Sequence, residues 1–155
     1  MLKIKLIVVG SIKEKYFTEA VAEYKKRLSR FCGFEIIEVP EYLPNSNCTN
    51  DQIINVESAE IIKKLDGFVV AFDLRGKEFT SGELADIIKE CGVKGESKIS
   101  FVIGGSYGMN SEVIKRANLV LRVGKATFPH QLMRVMAAEQ IYRAMTIINN
   151  VKYHK

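Results

Sequence analysis

Tryptophan is absent from these 155 residues, histidine occurs twice, and cysteine and proline occur three times each. Cys32, Cys48 and Cys91 are odd in number and widely spaced, with no C-x-x-C and no neighbouring histidine. Such a pattern supports neither a disulfide framework nor a zinc site, so no metal is expected and a reducing, cytoplasmic setting is. With only His130 and His154 available, no Ser-His-Asp order arises, and no paired carboxylates stand out for hydrolysis. Long apolar runs are missing too. The uninterrupted run Leu6 to Val9 falls short of the ~7 to 15 residues of a signal core. Nothing approaches the ~18 apolar residues of a membrane span, so no membrane partner is expected. Asn47-Cys48-Thr49 matches a glycosylation sequon, which carries no meaning without export.

What is present is a chain with 47% hydrophobic residues, enough to build one domain over 1–155 with its own core. Lys and Arg outnumber Asp and Glu by 23 to 18, a formal charge of +5 that permits a polyanionic partner and serves solubility equally well. Strand-like runs at Lys3 to Val9, Phe34 to Val39, Phe68 to Phe72, Ile99 to Ile103 and Leu119 to Val123 alternate with helical patterns. Glu14 to Arg30 repeats Phe17, Val21, Tyr24 and Leu28 at helical spacing, Asp51 to Leu65 has an acidic start, and Thr80-Ser-Gly-Glu83 has the form of a capping box. Pro40 to Asn50 reads as a loop. The alternation predicts an α/β fold, a mainly parallel sheet flanked by helices.

The last stretch, Thr127 to Lys155, carries the most information. A helix starting near Pro129 places Met133, Ala137, Ile141, Ala144 and Ile148 on one apolar stripe. On the other side Leu132, Val135, Met136 and Ile147 are interleaved with Glu139 and Arg143, an i,i+4 pair of opposite charge. Two faces needing cover fit a helix buried within a monomer or one at a subunit interface, and the terminal position favours the interface. The aromatic and basic end, Tyr153-His154-Lys155, predicts a docked chain terminus able to stack on a base, contact a phosphate or exchange a proton.

Chemistry is expected in three strand-end loops. Phe101-Val-Ile-Gly104-Gly105-Ser106-Tyr107-Gly108-Met-Asn110 runs from a strand into a glycine-rich turn and a helix starting near Asn110 or Ser111. Its glycines would let a ligand approach backbone, although an ordinary tight turn would read the same way. It matches neither G-x-G-x-x-G nor a Walker A pattern. Phe72 to Lys77 and Val123 to Phe128 also follow strands, and ligands in open α/β sheets gather outside strand carboxyl ends. Individually, Asp73 could cap a turn, Lys77 could be solvated, Thr127 could cap the last helix, and His130 could be structural. At a helix start, His130 would have its protonated form disfavoured.

Together F-V-I-G-G-S-Y-G, T-F-P-H-Q-L-M-R-V, E-Q-I-Y-R-A and the terminal Y-H-K resemble the ribosomal RNA large subunit methyltransferase H family of the SPOUT class, over nearly the whole chain. That resemblance implies a C-terminal trefoil knot, a homodimer, and use of S-adenosylmethionine to methylate N3 of a pseudouridine in 23S rRNA on the assembled ribosome. It puts the methyl donor against Phe72, Gly104, Val123, Gly124, Lys125, Ala126, Thr127 and Phe128. On that reading Tyr153, His154 and Arg143 are the catalytic candidates: the hypothesis is that His154 or Tyr153, contributed across the dimer, holds the base or relays its proton, while Arg143, Lys25, Lys26, Arg27 and Arg30 face RNA phosphate. Phe72, Gly124, Ala126 and Lys152 depart from the family pattern of Leu, Ser, Met and Pro. A knotted methyltransferase acting on tRNA or another rRNA base, or a non-catalytic ribosome assembly factor, would fit the same residues.

Overall fold

Alternation along the strands decides which helices cover each face of the sheet. The computed structural model describes residues 1–45 and 47–155. Five parallel strands, β1 (Lys3–Val9), β2 (Gly33–Val39), β3 (Phe68–Glu78), β4 (Lys98–Ile103) and β5 (Leu119–Arg122), lie in the order β2-β1-β4-β3-β5. The helices are α1 (Lys15–Leu28), α2 (Asn50–Ile62), α3 (Ser81–Val93), α4 (Ser111–Arg116) and α5 (His130–Ile148). Ile4, Leu6, Val8, Val70, Phe72, Phe101 and Leu121 point to one face, where they join Ala137, Ile141 and Ala144 of α5. Ile7, Val9, Val69, Ala71 and Val102 point to the other, beneath Ile61 of α2 and Val113 of α4. Side chains alternate across a strand, so one sheet feeds two cores.

Local signals set the helix ends. Both capping-box bonds form at Thr80 and Glu83, and a second box, Thr49 with Gln52, starts α2 at Asn50, inside the expected loop. Ser46 of that loop lies outside the described residues. α1 and α2 end before the expected Arg30 and Leu65, at Leu28 and Ile62. Pro129 is the N-cap of α5, so Thr127 does not cap it.

Strand boundaries are corrected as well. β3 does not stop at Phe72 but runs to Glu78, because both Phe72 and Lys77 pair with Leu121 while residues 73–76 bulge out between them. Gly76 lets the chain rejoin the ladder, since a Cβ there would lie 2.5 Å from the carbonyl carbon of Val120. β5, conversely, ends at Arg122 rather than Val123.

α5 ends in a Schellman motif. Asn150 takes the left-handed φ of 54°, its N–H donates to Ile147 O, and the Val151 N–H donates to Thr146 O. This turn reverses the chain without a proline at position 152.

Candidate active site

The bulge within β3 and the loops that follow β4 and β5 converge on a cavity of about 900 Å3. Its apolar wall comes from Phe72, Ile103, Leu121, Val123 and Met133. Its backbone-rich wall is the glycine turn 104–108, folded so tightly that a Cβ on Gly104 would lie 2.6 Å from the carbonyl carbon of Gly108. A side chain at position 104 would therefore push the turn open and fill the pocket edge.

The turn is held from several sides. Arg75, on the β3 bulge, donates from Nη2 to Met109 O at 2.8 Å while forming a two-pronged ion pair with Asp73 at 2.7 and 2.9 Å. Asp73 also accepts the Arg75 backbone N–H, so it does cap a turn, and it lines the cavity as well. Beneath the turn, α2 supplies Ser58 Oγ to the Asn110 N–H and Asn55 Oδ1 to the Asn110 side-chain amide. Glu57, only 2% exposed, accepts the Tyr42 N–H on Oε2. Its Oε1 has no partner among the described residues and lies where a Cβ on Gly105 would come within 2.7 Å. Burial pushes this carboxyl above the usual range, and the nearby Glu41 adds to the rise.

At the start of α5, His130 lines the cavity, with Nδ1 3.5 Å from Ser106 Oγ. Burial lowers its pKa first and the neighbouring Arg134 guanidinium second, so the ring is neutral at physiological pH. Arg134 itself is buried, with Nη2 donating to Val9 O and Gly10 O at 3.2 and 3.0 Å and Nη1 pairing with Glu38 at 3.3 Å. It ties the pocket end of α5 to the carboxyl end of β1.

Of the residues expected to hold a ligand, Phe72, Gly104, Val123, Gly124, Ala126, Thr127 and Phe128 line this cavity, and Lys125 does not. Tyr153, His154 and Arg143 are not in it either. Arg143 lies ten residues beyond Met133 on α5, about 15 Å along the axis at ~1.5 Å per residue. There the chain end is docked: Arg143 donates from Nε and Nη2 to Glu139 Oε1 at 3.0 and 2.8 Å, and the Tyr153 hydroxyl donates to the same oxygen at 3.2 Å. The Arg143 guanidinium lies 4.7 Å from the Tyr153 ring centre, and its Nη1 is 3.3 Å from His154 Nδ1. Tyr153 meets Tyr142 edge to face at 4.8 Å, and Tyr142 continues toward Tyr24 and Phe31 near α1. Burial, then the nearby Tyr24, raises the Tyr153 pKa, so its phenol stays protonated at neutral pH.

Asp73 and Arg75 fall within the expected loop Phe72 to Lys77, but Arg122 and Glu57 were not marked by the sequence as parts of the site. Arg122 ends a strand whose neighbours only the sheet order reveals, and Glu57 looks like any helix-surface acid. Lys25, Lys26 and Arg30 are exposed as expected, whereas Arg27 is held by Glu23 at 2.8 Å and by the Tyr24 and Tyr142 rings. No helix among the described residues is long and apolar enough to cross a membrane.

Comparison with known proteins places this geometry. The chain is 47% identical to the ribosomal RNA large subunit methyltransferase H proteins of Clostridium perfringens and Limosilactobacillus reuteri, and 46% identical to that of Clostridium tetani. Each match covers 99% of this chain and 100% of the relative. Among solved structures, a methylase-family protein from Haemophilus influenzae matches all of this chain and 72% of its own, with TM-score 0.59 at 16% identity. A tRNA (m1G37) methyltransferase from Aquifex aeolicus matches 99% of this chain and 73% of its own, with TM-score 0.54 at 11% identity. A methyltransferase from Legionella pneumophila with bound SAM matches 92% of this chain and 66% of its own, with TM-score 0.51 at 13% identity. These three likenesses are of fold. A family profile described as a predicted SPOUT methyltransferase spans residues 2–154, and with relatives of that identity over their full length the chain belongs to the SPOUT methyltransferase family.

Proposed function

We propose that this chain is an S-adenosylmethionine-dependent methyltransferase that modifies N3 of a pseudouridine in 23S rRNA on the assembled ribosome, in the cytoplasm. The observation that carries the reading is the convergence of the β3 bulge and the loops after β4 and β5 on one cavity, in a chain whose full-length relatives are named for ribosomal RNA large subunit methylation. Those names favour rRNA over tRNA. A single domain over 1–155 with a C-terminal trefoil knot belongs to the same reading, supported by the family match from end to end.

The residues present suit the donor. An adenine needs apolar walls and backbone polar groups, which Phe72, Leu121, Val123 and the 104–108 and 123–128 loops offer, while a neutral His130 places no repelling charge near a sulfonium. When bound, that donor supplies an electrophilic methyl group. The chain's part is to orient it, keep water out, and help the base N3 lose its proton.

The tail is assigned to the base. Since Arg143, Tyr153 and His154 lie along α5 from their own chain's cavity, a homodimer in which one copy's tail meets the other copy's pocket accounts for both. On the second face of α5, Leu132, Val135 and Met136 are only partly buried and support such a seam, whereas Ile147 packs against the chain's own core. Tyr153, held protonated with its hydroxyl hydrogen donated to Glu139, offers its ring, leaving exposed His154 as the group able to relay the proton. Lys25, Lys26 and Arg30 then meet RNA phosphate.

The test is transfer of labelled methyl from S-adenosylmethionine to assembled ribosomes, separated subunits and tRNA, with the product base mapped by mass spectrometry. Label on a 23S pseudouridine in assembled ribosomes is expected. Label confined to tRNA would transfer the assignment to the rival substrate, and no donor binding at all would remove every enzymatic reading.

A further inference from the structure

Three basic side chains line the cavity, and they are not equally available. Arg75 is committed on both sides, to the Asp73 carboxylate and to Met109 O. His130 is neutral. Arg122, the last residue of β5, is different: its Nε is buried with no hydrogen-bond partner among the described residues, and its one ionic contact, Nη2 to Glu78 Oε1, is long at 3.5 Å. Glu78 is 54% exposed and therefore mostly solvated, so it is a weak competitor. The cavity cannot reach that Nε, but the Arg122 side chain as a whole is 31% exposed, so its Nη donors, held only by the long Glu78 contact, are the ones a ligand oxygen can meet. The Nη1–Nη2 end of arginine presents paired donors that can meet the two oxygens of a carboxylate.

The proposed methyl donor has two ends of different chemistry, an adenosine and a zwitterionic amino acid. Apolar and backbone walls can hold the first, but the α-carboxylate of the second needs a cationic partner in a pocket whose other acid–base pair is already closed. We propose that Arg122 is the donor-carboxylate anchor of this cavity, an assignment that rests on the methyltransferase reading above. Arg122 then fixes the amino-acid end of the donor, and with it the direction in which the methyl group faces.

The experiment measures equilibrium binding of S-adenosylmethionine, S-adenosylhomocysteine and 5′-methylthioadenosine, which lacks the amino-acid end, to the unaltered chain, Arg122→Gln and Glu78→Gln. Arg122→Gln is expected to weaken the first two ligands about 10- to 100-fold, the range of one charged hydrogen-bonded contact, and to leave 5′-methylthioadenosine within about twofold. Glu78→Gln removes the competing carboxylate and should leave the first two unchanged or tighter. It also shows that a substitution at this strand end leaves the pocket folded. Equal weakening of all three ligands by Arg122→Gln, or no weakening, overturns the assignment. If Arg122→Gln instead impairs ribosome binding alone, its partner is an RNA phosphate and the assignment again falls. Failure of the underlying methyltransferase reading shows separately, as no binding of any of the ligands by the unaltered chain.

Discussion

Replacing Arg134 with methionine asks whether a buried cation holds the pocket end of α5 in place. Methionine keeps most of the volume and flexibility of the side chain and removes its charge and donors. Two charge-assisted bonds, to Val9 O and Gly10 O at 3.2 and 3.0 Å, would be lost. Each such bond contributes roughly 1.5 to 3 kcal/mol, and these lengths argue for the low end. The pair with Glu38 adds at most ~1 kcal/mol, because the Glu38 side chain is 47% exposed. Against these losses stands the relief of burying a guanidinium that is 1% exposed, whose Nε has no partner among the described residues and whose pKa burial pulls down. The net expectation is a loss of about 2 to 3 kcal/mol, a fall in Tm of about 4 to 12 °C for a chain of this length. Urea unfolding at one fixed protein concentration measures it, since any self-association makes stability depend on concentration. A variant as stable as the unaltered chain, within ~0.5 kcal/mol, or more stable, would refute the reasoning. Desolvation would then outweigh the carbonyl bonds.

Two further outcomes are expected. Burial raises the Glu57 pKa in the folded chain above its ordinary 4.5, so its contribution to stability is complete below that value and is lost as pH rises through the folded-state value. Glu57→Gln should therefore gain in Tm relative to the unaltered chain near pH 8, with the gain shrinking as pH falls toward 4.5; a difference that does not vary with pH would contradict this. Cys32, whose thiol burial pushes up to about 11, and buried Cys91 should resist alkylation in the folded protein, while partly exposed Cys48 reacts. Mass spectrometry should find one adduct before denaturation and three after it, and labelling of Cys32 or Cys91 at the rate of Cys48 would contradict the packing.

Several features were legible because their causes are local. The Thr80–Glu83 capping box, the Asn110 helix start and the Glu139–Arg143 pair each depend on residues within four positions, and each forms as read. The alternating runs gave all five strands. β3 overran its expected end because its continuation depends on Gly76 fitting against Val120 and Leu121, residues more than forty positions later. The glycine turn, the Phe72 to Lys77 segment and the Val123 to Phe128 loop suggested one composite pocket, and what brings them together, β4 and β5 flanking β3, is fixed by the sheet order. The turn at Asn150 also decided what the departure at Lys152 left open, since the helix stop comes from a left-handed residue two positions earlier.

By itself, the amino-acid order determined the α/β alternation, the two-sided last helix, the glycine-bearing strand ends and the aromatic, basic terminus. These are set by hydrophobic period, capping and turn chemistry, which act over a few residues. Only the tertiary structure decided that Arg75 is committed while Arg122 is not, that Glu57 lies beneath Gly105, and that the tail docks on Glu139 away from its own chain's cavity. Burial and pairing are properties of neighbours brought together across the sheet, and one-dimensional spacing carries no record of which strands those will be.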